Sequence, residues 1–203
     1  MREPFRPYVD RHYGPDPVLM ACGLPATNKS WSMEMVAELK GYPVLRTDEI
    51  RRELMRREDV FQEDVASSMD QRRRVYQEMF RRAEEVAAEG GGVILDATFV
   101  TQALRREAAR VAASHHRRLI IQEMVTSPEY SLGIIAARTP DSSESNAVTA
   151  EAYFNNKEAF EPVDLDDLQA RFPDLAVLHL IVDADSDEPE DWFVVHQEMR
   201  TPP

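Results

Sequence analysis

Residues Val18–Trp31, VLMACGLPATNKSW, constrain the fold most strongly. An apolar run, Val18–Cys22, breaks at Gly23, and Lys29–Ser30 then open a helical pattern. Strand, loop and helix N-terminus in that order give the layout of G-x-x-x-x-G-K-[ST], a phosphate-binding loop. Gly23, Lys29 and Ser30 fall on their positions, and Asn28 stands where the second glycine belongs. A polyphosphate needs several converging donors. The backbone N–H groups of Gly23, Leu24, Pro25, Ala26, Thr27, Asn28, Lys29, Ser30 and Trp31 could supply them, less the one that proline lacks. The positive end of the helix points the same way. Lys29 would bring a charge to the β- and γ-phosphates, and the Ser30 hydroxyl would ligate Mg²⁺. Asn tolerates positive φ better than other residues with a side chain, so the turn can survive the exchange, although a side chain is brought near the phosphates. The plain alternative is a strand–turn–helix connection in which N-K-S is ordinary N-cap chemistry.

A chain of 203 residues fits one domain with a real core. No apolar run approaches a membrane span and the N-terminus lacks a signal-peptide core, so no membrane role and a cytoplasmic location are expected. The single cysteine, Cys22, lies in the first predicted strand and reads as a buried small hydrophobe. A formal net charge of −13 argues against nucleic acid as substrate, although arginines cluster at Arg51–Arg57 and Arg72–Arg82.

Strands are predicted at Val18–Cys22, Pro43–Thr47, Val93–Asp96, Arg118–Val125 and Leu175–Val182, separated by helical patterns. The alternation predicts an α/β fold with a mainly parallel five-stranded sheet, with ligands at the carboxyl ends of the strands. The loop, Asp48 and Asp96 all follow such ends. Residues 1–17, with four prolines and no periodic pattern, read as an arm that could join this unit to another domain or subunit. The main domain is expected over 18–183, with a polar lid at about 138–150. The acidic tail, 184–203, is expected to end in a short helix around Trp192–Met199.

The order of CGLPATNKS, VLRTDEIRREL, GGVILDATF, the helix ending in AAR and KEAFEPV resembles the P-loop kinase group. That group includes polynucleotide 5′-hydroxyl kinases, zeta toxins, gluconate kinase and chloramphenicol phosphotransferase. The likeness is nearest to bacterial ATPase domains of the AAA_33 type, often found behind an aminoglycoside-phosphotransferase-like domain. It implies a three-layer P-loop fold with a helical lid, in which Gly23–Ser30 hold ATP and Mg²⁺. Asp48, in a D-x-x-R element with Arg51, would be the general base, with Arg51 placing the substrate or the transferring phosphate. Asp96 and Thr98 would line the acceptor site, or Asp96 would orient magnesium through water. Arg138 would be the lid arginine. Lys157 and Glu161 match an element of undefined role.

The function expected is transfer of the ATP γ-phosphate to a hydroxyl of a small molecule, with Lys29, Asp48 and Arg138 carrying the chemistry. Two alternatives stand beside it. One is a nucleotide-binding or inactive regulatory module, motivated by Asn28, by the bulky Trp31 and by an acidic lid with a single arginine. The other is a polynucleotide 5′-hydroxyl kinase, which the negative charge disfavours.

Overall fold

The computed structural model describes residues 2–57, 69–137 and 149–202. In chain order the elements are β1 (Glu3–Pro4), α1 (Phe5–His12), β2 (Val18–Cys22), α2 (Lys29–Lys40), β3 (Val44–Arg46), α3 (Thr47–Arg57), α4 (Met69–Ala88) and β4 (Val93–Asp96). They continue as α5 (Gln102–Ser114), β5 (Leu119–Val125), α6 (Pro128–Ala137), α7 (Ala150–Ala159), α8 (Leu165–Arg171), β6 (Val177–Asp183), a 3-10 turn at Pro189–Asp191, and β7 (Phe193–Arg200). One sheet runs β1-β7-β6-β5-β2-β4-β3. The five strands read from the sequence form its parallel part. β7 and β1 extend it to seven strands by antiparallel pairing.

Every residue of β2 is buried because helices cover both faces of the sheet. Val18, Met20 and Cys22 point into a core shared with α4, α5 and α8, while Leu19 and Ala21 meet α1 and α2. The register pairs Met20 with Leu95, Cys22 with Glu123, and Arg46 with Asp96. The carboxyl ends of β3, β4, β2 and β5 therefore form one edge, and the phosphate loop leaves from its middle.

Two terminal expectations change. The proline-rich arm carries an integral helix: Phe5, Tyr8 and Val9, spaced i, i+3, i+4, are buried against the core, and Glu3–Pro4 pair with β7. Pro7 is tolerated because first-turn N–H groups have no intrahelical partner to lose. The helix expected around Trp192–Met199 is instead the strand β7, paired along β6 from Val177–Arg200 to Asp183–Phe193. Backbone pairing with β6, favoured by the aromatic and β-branched run Trp192–Val195, outweighs the weak helical pattern of Trp192–Met199. The expected loop or short helix at 60–70 lies almost wholly outside the described residues.

Candidate active site

The loop from Gly23 to Asn28 has the backbone of an anion cradle. Gly23 has φ 129°, and a Cβ there would run into the Met124 carbonyl, so no other residue fits. Ala26 and Asn28 both have φ 58°, in the left-handed region. Alternation into that region turns successive N–H groups toward one point. The Gly23 N–H donates to the Thr98 carbonyl at 3.3 Å, which fastens the loop to the turn after β4. Ala26 packs beside Ile135 of α6 and Tyr153 of α7, so the loop also rests on these two helices.

Asn28 keeps the glycine conformation and sends its side chain elsewhere. It makes no side-chain cap on α2. Its Nδ2 donates to Tyr130 Oη at 3.0 Å, to the Ala184 carbonyl at 3.0 Å and to the Ser186 carbonyl at 3.4 Å. These partners belong to α6 and to the loop after β6, on the opposite side of β2 from β4 and β3. Trp192 Nε1 donates to the same Ser186 carbonyl at 2.9 Å, and Trp31 meets the Trp192 ring edge-on at 5.2 Å between centroids. Both departures from the motif thus lean on the β6–β7 connection. Trp31 remains 42% exposed beside the loop.

Lys29 is mostly buried; its ammonium bonds to the Leu24 carbonyl and donates to Thr27 Oγ1 at 3.2 Å. Ser30 is exposed in the first turn of α2. Cradle, lysine and first-turn hydroxyl together fit a magnesium–nucleotide: backbone donors and Lys29 for phosphate oxygens, Ser30 Oγ for the metal. Cys22, just before the loop, is fully buried, and burial pushes its thiol up to about 11, which makes it a packing residue at neutral pH.

At the end of β3, Thr47 starts α3, and Asp48 in its first turn accepts from Arg51 at 2.7 Å. Both side chains are about a quarter exposed, at 26% and 23%. Asp96, at the end of β4, is 4% exposed. It accepts from Arg46 Nε at 2.8 Å, and Thr98 lies in the turn just beyond. Arg46 also reaches Glu34 of α2 at 3.0 Å and Glu49 at 3.5 Å. Burial would lower the Arg46 pKa, but the charge and hydrogen bonds of Asp96 and Glu34 outweigh it, and the guanidinium is raised and stays charged. Sequence reasoning passed over Arg46, whose one clue is a basic residue at a strand end beside Asp48. Phosphate loop, Asp48–Arg51 and Asp96–Thr98 therefore follow three neighbouring strands. Arg138, the expected lid arginine, lies outside the described residues, as does the expected lid up to residue 148.

The KEAFEPV element has a structural part. Glu161 Oε2 accepts from the Gln102 N–H at 2.5 Å, at the start of α5, and the Glu161 N–H donates to the Val100 carbonyl at 2.9 Å. Arg105, fully buried, donates to the carbonyls of Glu161 at 2.7 Å and Pro162 at 3.0 Å, with its guanidinium 5.1 Å from the Phe160 ring centroid. Lys157 is exposed on α7.

The AAA_33 family (AAA domain) matches residues 18–163. The chain belongs to the AAA_33 family. An uncharacterised protein of Mycobacterium tuberculosis is 33% identical over 135 residues, and one of Mycobacterium bovis matches equally. Those matches cover 64% of this chain but only 27% of each relative, so the matched region is about a quarter of a longer protein. Among solved structures, a sugar kinase from Janibacter has a TM-score of 0.59 at 14% identity, covering 87% of this chain and 89% of that one. A gluconokinase from Sinorhizobium meliloti has a TM-score of 0.55 at 16% identity, covering 84% and 83%. The AvrRxo1-ORF1:-ORF2 structure with ATP has a TM-score of 0.56 at 16% identity, covering 96% and 60%. This AAA_33 chain thus has the fold of P-loop kinases. Among the described residues, no helix is long and apolar enough to cross a membrane.

Proposed function

We propose that this protein is an ATP-dependent phosphotransferase that moves the γ-phosphoryl group to a hydroxyl of a small molecule. One observation carries the reading: Asn28 holds the left-handed conformation of the missing glycine while its side chain turns toward β6, so the exchange leaves the cradle backbone formed. The kinases among the structural neighbours, and the ATP in one of them, agree with it.

The residues divide the work. Loop N–H groups and Lys29 hold the β- and γ-phosphates and oppose the charge that develops on them. Asp48 takes the proton from the acceptor hydroxyl while Arg51 fixes its carboxylate. The hydroxyl oxygen bonds to the γ-phosphorus, the bond from that phosphorus to the β–γ bridging oxygen breaks, and ADP leaves. Thr98 lines the acceptor side. Magnesium, when held by Ser30 and through water by Asp96, would neutralise the phosphate oxygens. Arg138 would approach the phosphates from the lid. The net charge of −13 favours a small acceptor over a polynucleotide.

The test is calorimetric titration with ADP and Mg²⁺, wild type beside Lys29→Ala. Binding in the wild type that falls at least about tenfold in the variant is expected, since a charged hydrogen-bond donor is removed. No binding by the wild type would refute the reading in favour of an inactive module. Asp48→Asn should bind ADP like the wild type yet transfer nothing to a polyol panel; transfer at the wild-type rate would remove Asp48 as base.

A further inference from the structure

Arg46 is a charged residue at this edge that the proposed chemistry leaves unused. Its fork reaches two groups, one at the end of β4 and one on α2. Nε bonds Asp96, at the end of the strand next to β2, at 2.8 Å, and a terminal nitrogen bonds Glu34 at 3.0 Å. Glu34 lies four residues after Ser30 on α2, hence on the same helix face. The guanidinium therefore stands between the Ser30 face of α2 and Asp96, the two groups suited to a magnesium ion. Only 22% of the Arg46 side chain is exposed, and strand pairing with β4 fixes its base, Arg46 lying opposite Asp96.

We infer that Arg46 is a positioning residue that sets the metal demand of the site: it neutralises Asp96 and engages one of its oxygens, so that nucleotide binding gains less from Mg²⁺ than it would with Asp96 unpaired. The inference rests on the nucleotide reading above. Electrostatics give its direction. A fixed cation beside a carboxylate competes with a divalent ion for that charge, and supplies part of the neutralisation that the phosphates would otherwise draw from the metal.

The measurement is the ratio of ADP affinities with Mg²⁺ and with EDTA, taken by calorimetry on the wild type, Arg46→Met, Arg46→Lys and Asp96→Asn. Arg46→Met should raise the ratio by about tenfold, the worth of one charge-assisted hydrogen bond. Arg46→Lys, which keeps the charge but loses the fork, should fall between, and gives the comparison if the Met variant does not fold. Asp96→Asn should lower the ratio below that of the wild type. A purely structural salt bridge would change melting temperature and leave the ratio alone. Equal ratios in wild type and the Arg46 variants overturn the inference while leaving the nucleotide reading intact. Absence of ADP binding by the wild type overturns both.

Discussion

Replacing Asn28 by glycine restores the consensus motif, yet the structure predicts a loss of stability. Glycine accepts φ 58° without strain, which recovers a few tenths of a kcal/mol at most, because Asn already tolerates that region. Against this stand two well-formed hydrogen bonds at 3.0 Å, to Tyr130 and Ala184, and a weaker one at 3.4 Å to Ser186. At about 0.5–1.5 kcal/mol each for the first two, the loss is roughly 1–3 kcal/mol. The unfolded glycine chain adds about 0.5 kcal/mol more. For a domain of 203 residues this lowers Tm by roughly 3–10 °C. Asn28→Ala loses the same bonds and also meets the left-handed penalty of about 1 kcal/mol, so it should melt below the glycine variant. Scanning calorimetry on the three proteins gives the order. A cycle with Tyr130→Phe isolates the side-chain pair, since the Tyr130 bond to Asp187 at 2.7 Å is lost in both backgrounds and cancels. ADP affinity should stay within about threefold in Asn28→Gly, a change of well under 1 kcal/mol. A glycine variant as stable as the wild type, or one that binds ADP tenfold tighter, would show that the side chain intrudes on the cradle and refute the reasoning.

Other perturbations test the supports of the site. Glu161→Ala removes the carboxylate that accepts from the α5 N-terminus at 2.5 Å, and should lower stability by about 1–2 kcal/mol in chemical denaturation; an unchanged midpoint would make that contact idle. Cys22 should resist alkylation at pH 8 until the chain unfolds. Its folded thiol ionises at about 11, above the unfolded value of about 8.5, so the native state holds the proton longer and stability falls as pH rises between those values. Stability measured from pH 8 to 11 should therefore drop more steeply in the wild type than in Cys22→Ala, and parallel profiles would contradict the burial assigned to that thiol.

The parallel part of the sheet was legible because its central strands open as apolar runs covered on both faces, as in Val18–Cys22 and Val93–Asp96. β7 was not, since its short apolar start, Phe193–Val195, runs straight into His196, Gln197 and Glu198, and its place in the sheet comes from pairing with β6, a long-range relation. The α1 stripe was legible in principle; Phe5, Tyr8 and Val9 have helical spacing, but prolines at 4, 7, 15 and 17 obscured it. In the candidate site, the sequence placed the loop, Asp48–Arg51 and Asp96 at neighbouring strand ends, and the sheet order brings those ends to one edge. Motif spacing could not foresee which charges would pair. Asp96 could be read as a turn former, and only the β3–β4 register puts Arg46 opposite it.

Asn28 shows the same limit from the other side. A motif read by residue identity counts its side chain as damage, whereas phosphate binding depends on the N–H directions, and those follow φ and ψ. Once the side chain has partners across β5, in Ala184 and Ser186, the residue supplies the required turn and ties the loop to the β6–β7 connection. Trp31 leans on that connection through Trp192. Both departures from the motif thus reach one connection, so their effects on stability should be non-additive when Trp31→Ala is measured in the Asn28→Gly background.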